Sequence, residues 1–134
     1  PQLSKNISEA DVMRGGYVLS DCEGKPDAVL IATGSEVGLA MQAQEILRTQ
    51  GKSVRVVSMP CTSLFDRQDK SWQEKVLPSG IKRIAIEAGH PDLWWKYVGL
   101  DGAVVGINRF GESAPSAAVY KALGVTVERI VELV

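Results

Sequence analysis

The segment that most limits the fold is Asp27-Ala-Val-Leu-Ile-Ala-Thr33, which holds five apolar residues without a break. A strand with one wet face alternates apolar and polar residues; an unbroken run suits a strand buried on both faces. Such strands belong to parallel sheets covered by helices. The residues after Thr33 agree with this. Gly34-Ser35-Glu36 opens a helix in which Val37, Leu39, Ala40, Ala43, Ile46 and Leu47 recur near the helical period, and Gly51 ends it. Ser53-Val-Arg-Val-Val-Ser58 reads as the next strand, stopped by Pro60. Strand, helix and strand in that order form a βαβ unit with a right-handed crossover.

The rest of the chain extends this pattern. Gly16-Tyr-Val-Leu-Ser-Asp-Cys22 alternates as an edge or half-buried strand would. Glu23-Gly-Lys-Pro26 is a turn, and its shortness predicts that this first strand runs antiparallel to the second. Phe65 to Leu77 reads as one or two short helices with Trp72, Val76 and Leu77 inward. Ile81 to Glu87 is a strand, Leu93 to Val98 a short aromatic helix closed by Gly99, and Ala103 to Ile107 the last strand. Helices are expected at Ala114 to Leu123 and Val127 to Val134, the latter with Val127, Ile130, Val131 and Val134 on one face. The expected fold is an α/β three-layer α/β/α sandwich. Its sheet has about five strands, mostly parallel, with the first antiparallel.

A length of 134 residues suits one domain. The polar lead, 1–14, reads as a linker or the remnant of a preceding domain, and 15–134 as a single domain. A net charge of −1 without a basic stripe gives no electrostatic reason to expect nucleic acid or an anionic membrane as partner. Cys22 and Cys61 form no Cys-x-x-Cys pair, and one His leaves too few ligands for a structural zinc site. No apolar run approaches the ~20 residues of a membrane helix, and no signal-peptide core is visible. The expected location is the cytoplasm, with both thiols reduced.

Four places carry residue types a site would need. Gly34, Ser35 and Glu36 start a helix after a buried strand, where free backbone N–H groups and the helix dipole favour an anion. The spacing lacks both the Gly-x-Gly-x-x-Gly fingerprint and a phosphate loop, so a cap by Ser35 or Thr33, with Glu36 complementing the dipole, is the plainer account. Gly111-Glu-Ser113-Ala-Pro115 approaches a nucleophile elbow, but Pro115 replaces the second Gly and His90 precedes Ser113, against the hydrolase order. Ser113 reads better as a helix N-cap, and Ser35 with His90 has the order but no elbow. Glu87 and His90 follow the end of a buried strand, where ligands gather in open α/β sheets; a surface loop or subunit contact is the simpler reading. Trp94, Trp95 and Tyr97 form an aromatic patch, and adjacent Trp residues on a helix point different ways, so one faces core and one surface. By residue chemistry alone this is an α/β domain without an assembled active site.

Six segments in order resemble the C-terminal domain of bacterial-type transketolases. They are Arg14-Gly-Gly-Tyr-Val-Leu19, Ile31-Ala-Thr-Gly-Ser-Glu-Val37, Val54-Arg-Val-Val-Ser-Met-Pro60, Glu87-Ala-Gly89, Trp95-Lys-Tyr-Val-Gly99 and Phe110-Gly-Glu-Ser-Ala-Pro115. The resemblance implies a five-stranded mixed sheet with one antiparallel strand. It also implies a parent enzyme that moves a two-carbon ketol unit between sugar phosphates, using thiamine diphosphate and a divalent metal, Mg or Ca. In the family that chemistry belongs to two preceding domains. Their Gly-Asp-Gly metal motif, histidine cluster, catalytic Glu and phosphate-binding arginines have no counterpart here. The start, Pro1-Gln-Leu-Ser-Lys-Asn-Ile7, does not match the family's Ser-Arg-Gln-Asn-Leu segment. No catalytic, cofactor or metal residue is therefore carried over.

The resemblance further implies a homodimer whose C-terminal domains support the dimer surface. By motif position the interface candidates are Glu87, His90, Trp94, Trp95, Phe110 and Ser113. Cys61 departs from the family, in which a Ser commonly follows Met-Pro; His90-Pro91-Asp92 lies in a variable stretch. Competing readings are the equivalent domain of a deoxyxylulose-phosphate synthase or of a 2-oxo-acid dehydrogenase β subunit, a free-standing anion- or nucleotide-binding module at Gly34, and a small hydrolase. The Phe110 to Pro115 segment argues against the related thiamine enzymes.

Overall fold

The computed structural model describes residues 9–34, 36–87, 94–100, 102–106 and 127–134. Its elements are α1 (Glu9–Val12), β1 (Tyr17–Ser20), β2 (Ala28–Ala32), α2 (Glu36–Thr49), β3 (Val54–Ser58), α3 (Thr62–Asp66), α4 (Lys70–Val76), β4 (Lys82–Glu87), α5 (Trp95–Val98) and β5 (Ala103–Gly106). A last helix, α6, covers 127–133. The helix expected at Ala114 to Leu123 and the end of the strand at Ile107 lie outside the described residues.

The strands form one sheet in the order β1-β3-β2-β4-β5. β2 lies between β3 and β4, parallel to both, and β4 pairs in parallel with β5. All five residues of β2 are fully buried, as the unbroken apolar run requires. Two apolar clusters, one on each face, make the third layer explicit. The first joins Leu30, Ile84 and Ile86 to Leu39, Ala43 and Leu47 of α2 and to Val127 and Ile130 of α6. The second joins Val29, Ile31 and Val57 to Phe65 of α3, Trp72 and Val76 of α4, and Tyr97 and Val98 of α5.

The first strand is antiparallel, but it does not form a hairpin with β2. It pairs with β3, Tyr17 opposite Ser58 and Val18 opposite Val57, with a register irregularity before Ser20. The physical reason is that both hydrogen-bonding edges of β2 are taken by β3 and β4. The only edge open to β1 on that side is the outer edge of β3.

α2 also departs from expectation. Ile46 is 40% exposed, whereas Gln44 is buried. Ala40, Ala43, Gln44 and Leu47 follow the i, i+3, i+4, i+7 spacing of one stripe, and Ile46 lies about 100° round the helix from Leu47. Gln44 tolerates burial because every polar atom has a partner. Its Oε1 accepts from Ser20 Oγ at 2.9 Å, and its Nε2 donates to Val54 O at 3.1 Å and Ser20 O at 3.3 Å. The amide thereby ties α2 to both β1 and β3.

The lead has structure as well. α1 runs into Arg14-Gly15-Gly16, and both glycines are buried. Cys61 N donates to Gly15 O at 3.0 Å, and Trp72 Nε1 donates to Gly16 O at 3.0 Å. The Arg14 guanidinium sits 4.2 Å from the centre of the Trp72 ring.

Candidate functional site

An open α/β sheet offers a crevice where neighbouring strands send their following segments to opposite faces. Here the chain leaves β2 for α2, on the face of the first cluster. It leaves β3 and β4 for α3 and α5, on the face of the second. The carboxyl end of β2 therefore stands between two strands whose exits go the other way. Ala32 pairs with Ser58 on one side and with Ile86 on the other. The topology thus brings the α2 start at Gly34 and Glu36 beside the end of β4 at Glu87. Two of the sequence candidates, far apart in the chain, meet at one end of the sheet.

At the α2 start, Glu36 N donates to Thr33 O at 3.1 Å and Val37 N to Gly34 O at 3.3 Å. Glu36 is buried, and its Oε2 lies 3.8 Å from where a Cβ on Gly34 would sit. A carboxylate supplied by the chain is thus already at the positive end of the helix, where an external anion would meet it. Ser35, His90, Phe110 and Ser113 lie outside the described residues, so the crevice is drawn from Gly34, Glu36 and the backbone at Glu87.

The aromatic patch divides as expected. Trp94 is 2% exposed, its ring 5.6 Å from that of Tyr97, while Trp95 is 48% exposed. Beside them is a polar cluster that sequence reasoning missed. Asp66, at the end of α3, accepts from Lys96 Nζ at 2.8 Å and from Tyr97 Oη at 2.8 Å. The two partners are about thirty residues away in sequence, so no local motif announces them. Arg83 on β4 was missed for the same reason. Its guanidinium donates to Tyr97 O at 2.8 Å, Leu77 O at 2.7 Å and Pro78 O at 3.2 Å. Arg55, its counterpart on β3, donates to Lys75 O at 2.8 Å and holds Asp21 through Nε at 3.0 Å. Both arginines flank Val29 in register, one on each side. Together they satisfy carbonyls at the end of α4, groups a helix leaves without partners.

Burial pushes the Asp66 carboxyl up, but the bonds from Lys96 and Tyr97 outweigh it, leaving it below the usual carboxylate range. A carboxyl lowered on folding contributes stability that is present above the unfolded value of about 3.9 and lost as pH falls through the folded value. The melting temperatures of the parent and Asp66→Asn are therefore expected to differ most near neutrality. The gap should close below about pH 4, which thermal scans at stepped pH would read. A gap that does not change with pH would show that the bond to Lys96 carries no folding linkage. The two thiols differ in the same way. Burial raises the pKa of Cys22, whereas the Ser63 hydroxyl, 3.3 Å from its Sγ, lowers that of Cys61.

Among the described residues no group of three or more His, Cys, Asp or Glu side chains is placed to hold a metal ion. No described helix is long and apolar enough to cross a membrane. Two surface clefts lie away from the crevice. One is lined by residues such as Cys22, Gln44 and Arg48, the other by residues such as Asp66, Arg83 and Tyr97.

Comparison with known proteins assigns the family. Residues 15–126 match the family model described as the transketolase-like TK C-terminal domain. Transketolase 1 of Pasteurella multocida is 59% identical over 127 residues, which are 92% of this chain and 19% of the relative. Transketolase 2 of Vibrio parahaemolyticus is 57% identical over 123 residues, 91% of this chain and 19% of the relative. Among solved structures, the transketolase of Leishmania mexicana aligns with a TM-score of 0.79 at 40% identity, covering 96% of this chain and 18% of that one. A Pichia stipitis transketolase complexed with sedoheptulose-7-phosphate aligns with a TM-score of 0.81 at 36% identity, covering 98% and 19%. The chain thus spans about a fifth of the length of the relatives it matches, and it belongs to the transketolase C-terminal domain family.

Proposed function

We propose that this chain, over 15–134, serves as the non-catalytic C-terminal domain of a transketolase, structural and dimer-supporting. The parent enzyme would transfer a two-carbon ketol unit between sugar phosphates in the cytoplasm, with thiamine diphosphate and a divalent metal held by the preceding domains. The observation that carries this reading is the mismatch of coverage: 92% of this chain against 19% of the relative. The charged side chains of the second face support it. Asp66, Lys96, Arg55 and Arg83 hold helices and loops together. For the dimer surface, Trp95 is placed outward and Trp94 inward; Glu87, His90, Phe110 and Ser113 are proposed with Trp95 from motif position. The start of α2 keeps Glu36 as its anion on this reading, and an external anion at Gly34 to Glu36 is the lesser proposal.

Adding thiamine diphosphate and Mg²⁺ to the 134-residue chain is expected to leave its melting temperature unchanged. A ligand held by the folded chain would raise it, by about 2.7 kcal/mol of stabilisation at a hundredfold excess over its Kd. A rise that saturates with cofactor would overturn the assignment of cofactor binding to other domains.

A further inference from the structure

We infer that the surface formed by α1, the turn after it and α3 is where this domain docks onto the part of a longer transketolase chain that precedes it. The inference rests on the proposed domain function and names the face that function leaves open. Six large apolar residues are exposed among the described residues, and three belong to this one corner: Val12 at 41%, Met13 at 74% and Leu64 at 39%. Gly15 joins the two elements. A Cβ placed on it would lie 2.7 Å from Leu64 Cβ, so the lead and α3 are in direct contact there.

The corner is also held firmly. Gly15 O accepts from Cys61, Gly16 O accepts from the Trp72 indole, and Arg14 lies over the same indole. Arg14 N and Gly15 N donate back to Asp11 O at 3.1 Å and Val12 O at 3.4 Å, which closes α1 onto the turn. A loose tether needs none of this. A docked lead fixes the direction in which the chain enters the domain, so Val12 and Met13 are presented at a set angle. The family is a C-terminal domain by description, and the relatives are about five times longer, so the polypeptide before α1 is the occupant at hand. Trp95, at the start of α5, and Leu100, just after it, belong to a different segment. An apolar patch beside an anchored chain entry is the form expected of a contact between domains.

The three methionines supply the test, because peroxide oxidises a thioether according to its exposure. Met13 is 74% exposed, Met59 is 1% exposed, and Met41 is partly buried. Oxidation would be followed by mass spectrometry in the 134-residue chain and in the longer chain encoded in frame upstream of Pro1. The expected result is that Met13 reacts at least about tenfold faster than Met59 in the short chain and slows by about tenfold in the long one, while Met59 stays slow in both. Leu64→Asp should leave the melting temperature of the short chain unchanged and restore fast Met13 oxidation in the long one. A Met13 equally fast in both chains overturns the inference and leaves the domain reading standing. A Met13 already as slow as Met59 in the short chain overturns it too, since the chain would then cover its own patch. Protection that survives Leu64→Asp shows that α3 is no part of the contact. The lack of any upstream frame removes the domain reading and this inference together.

Discussion

Replacing Gly15 by Ala is expected to destabilise the domain by about 2–5 kcal/mol, the sum of a backbone cost and a steric one. Gly15 has φ of 84°, where an L side chain costs about 1–2 kcal/mol. Its Cβ would also stand 2.2 Å from Cys61 O and 2.6 Å from Phe65 N. Both are backbone atoms, so no side chain can swing away; the lead or the start of α3 must move. Gly24 separates the two costs. It has φ of 71° with nothing within 4 Å of its Cβ position, so Gly24→Ala carries the backbone cost alone, about 1–2 kcal/mol. Urea unfolding of both variants gives the comparison. Equal losses would mean that the close approach to Cys61 does not exist and that the lead is not docked.

Arg83→Met should cost about 2–4 kcal/mol, because three carbonyls, one in α5 and two just after α4, lose a charged donor while the aliphatic volume is kept. Burial lowers the guanidinium's pKa and the Glu74 charge raises it again, yet an arginine stays protonated at any working pH. The loss should therefore be nearly constant between about pH 5 and pH 9. Arg83→Lys is expected to recover less than half, since one ammonium cannot reach Tyr97 O on one side and Leu77 O on the other as the planar fork does. Full recovery by Lys would show that charge, and not the fork, is what the site uses.

Local patterns made the sheet legible. The run from Ala28 to Ala32 announced a strand buried on both faces, and all five residues are fully buried. The ends of α2 and α5 were legible because Gly51 and Gly99 mark them, and both make helix-closing bonds. What stayed hidden depends on partners far along the chain. The place of β1 beside β3 comes from which edge is vacant, a property of the assembled sheet. Gln44 did not figure in the stripe expected of α2 because its partners are Ser20 and Val54, which no spacing along the helix reveals. Asp66 and Arg83 were silent for the same reason. The candidate crevice was half legible: Gly34 to Glu36 and Glu87 were picked out singly, but their meeting is a product of strand order.

The position of β1 sets an order of events when the chain folds. The strand precedes its hydrogen-bonding partner, β3, by nearly forty residues, and its side-chain tie is to Gln44 on α2. Neither surface exists until β2, α2 and β3 have assembled as a unit. β1 must therefore join a nucleus that it takes no part in forming, closing a long loop to do so. Substitutions in β1 should speed unfolding and leave the folding rate almost untouched. On a ribosome, β1 would emerge before β3 and wait for it.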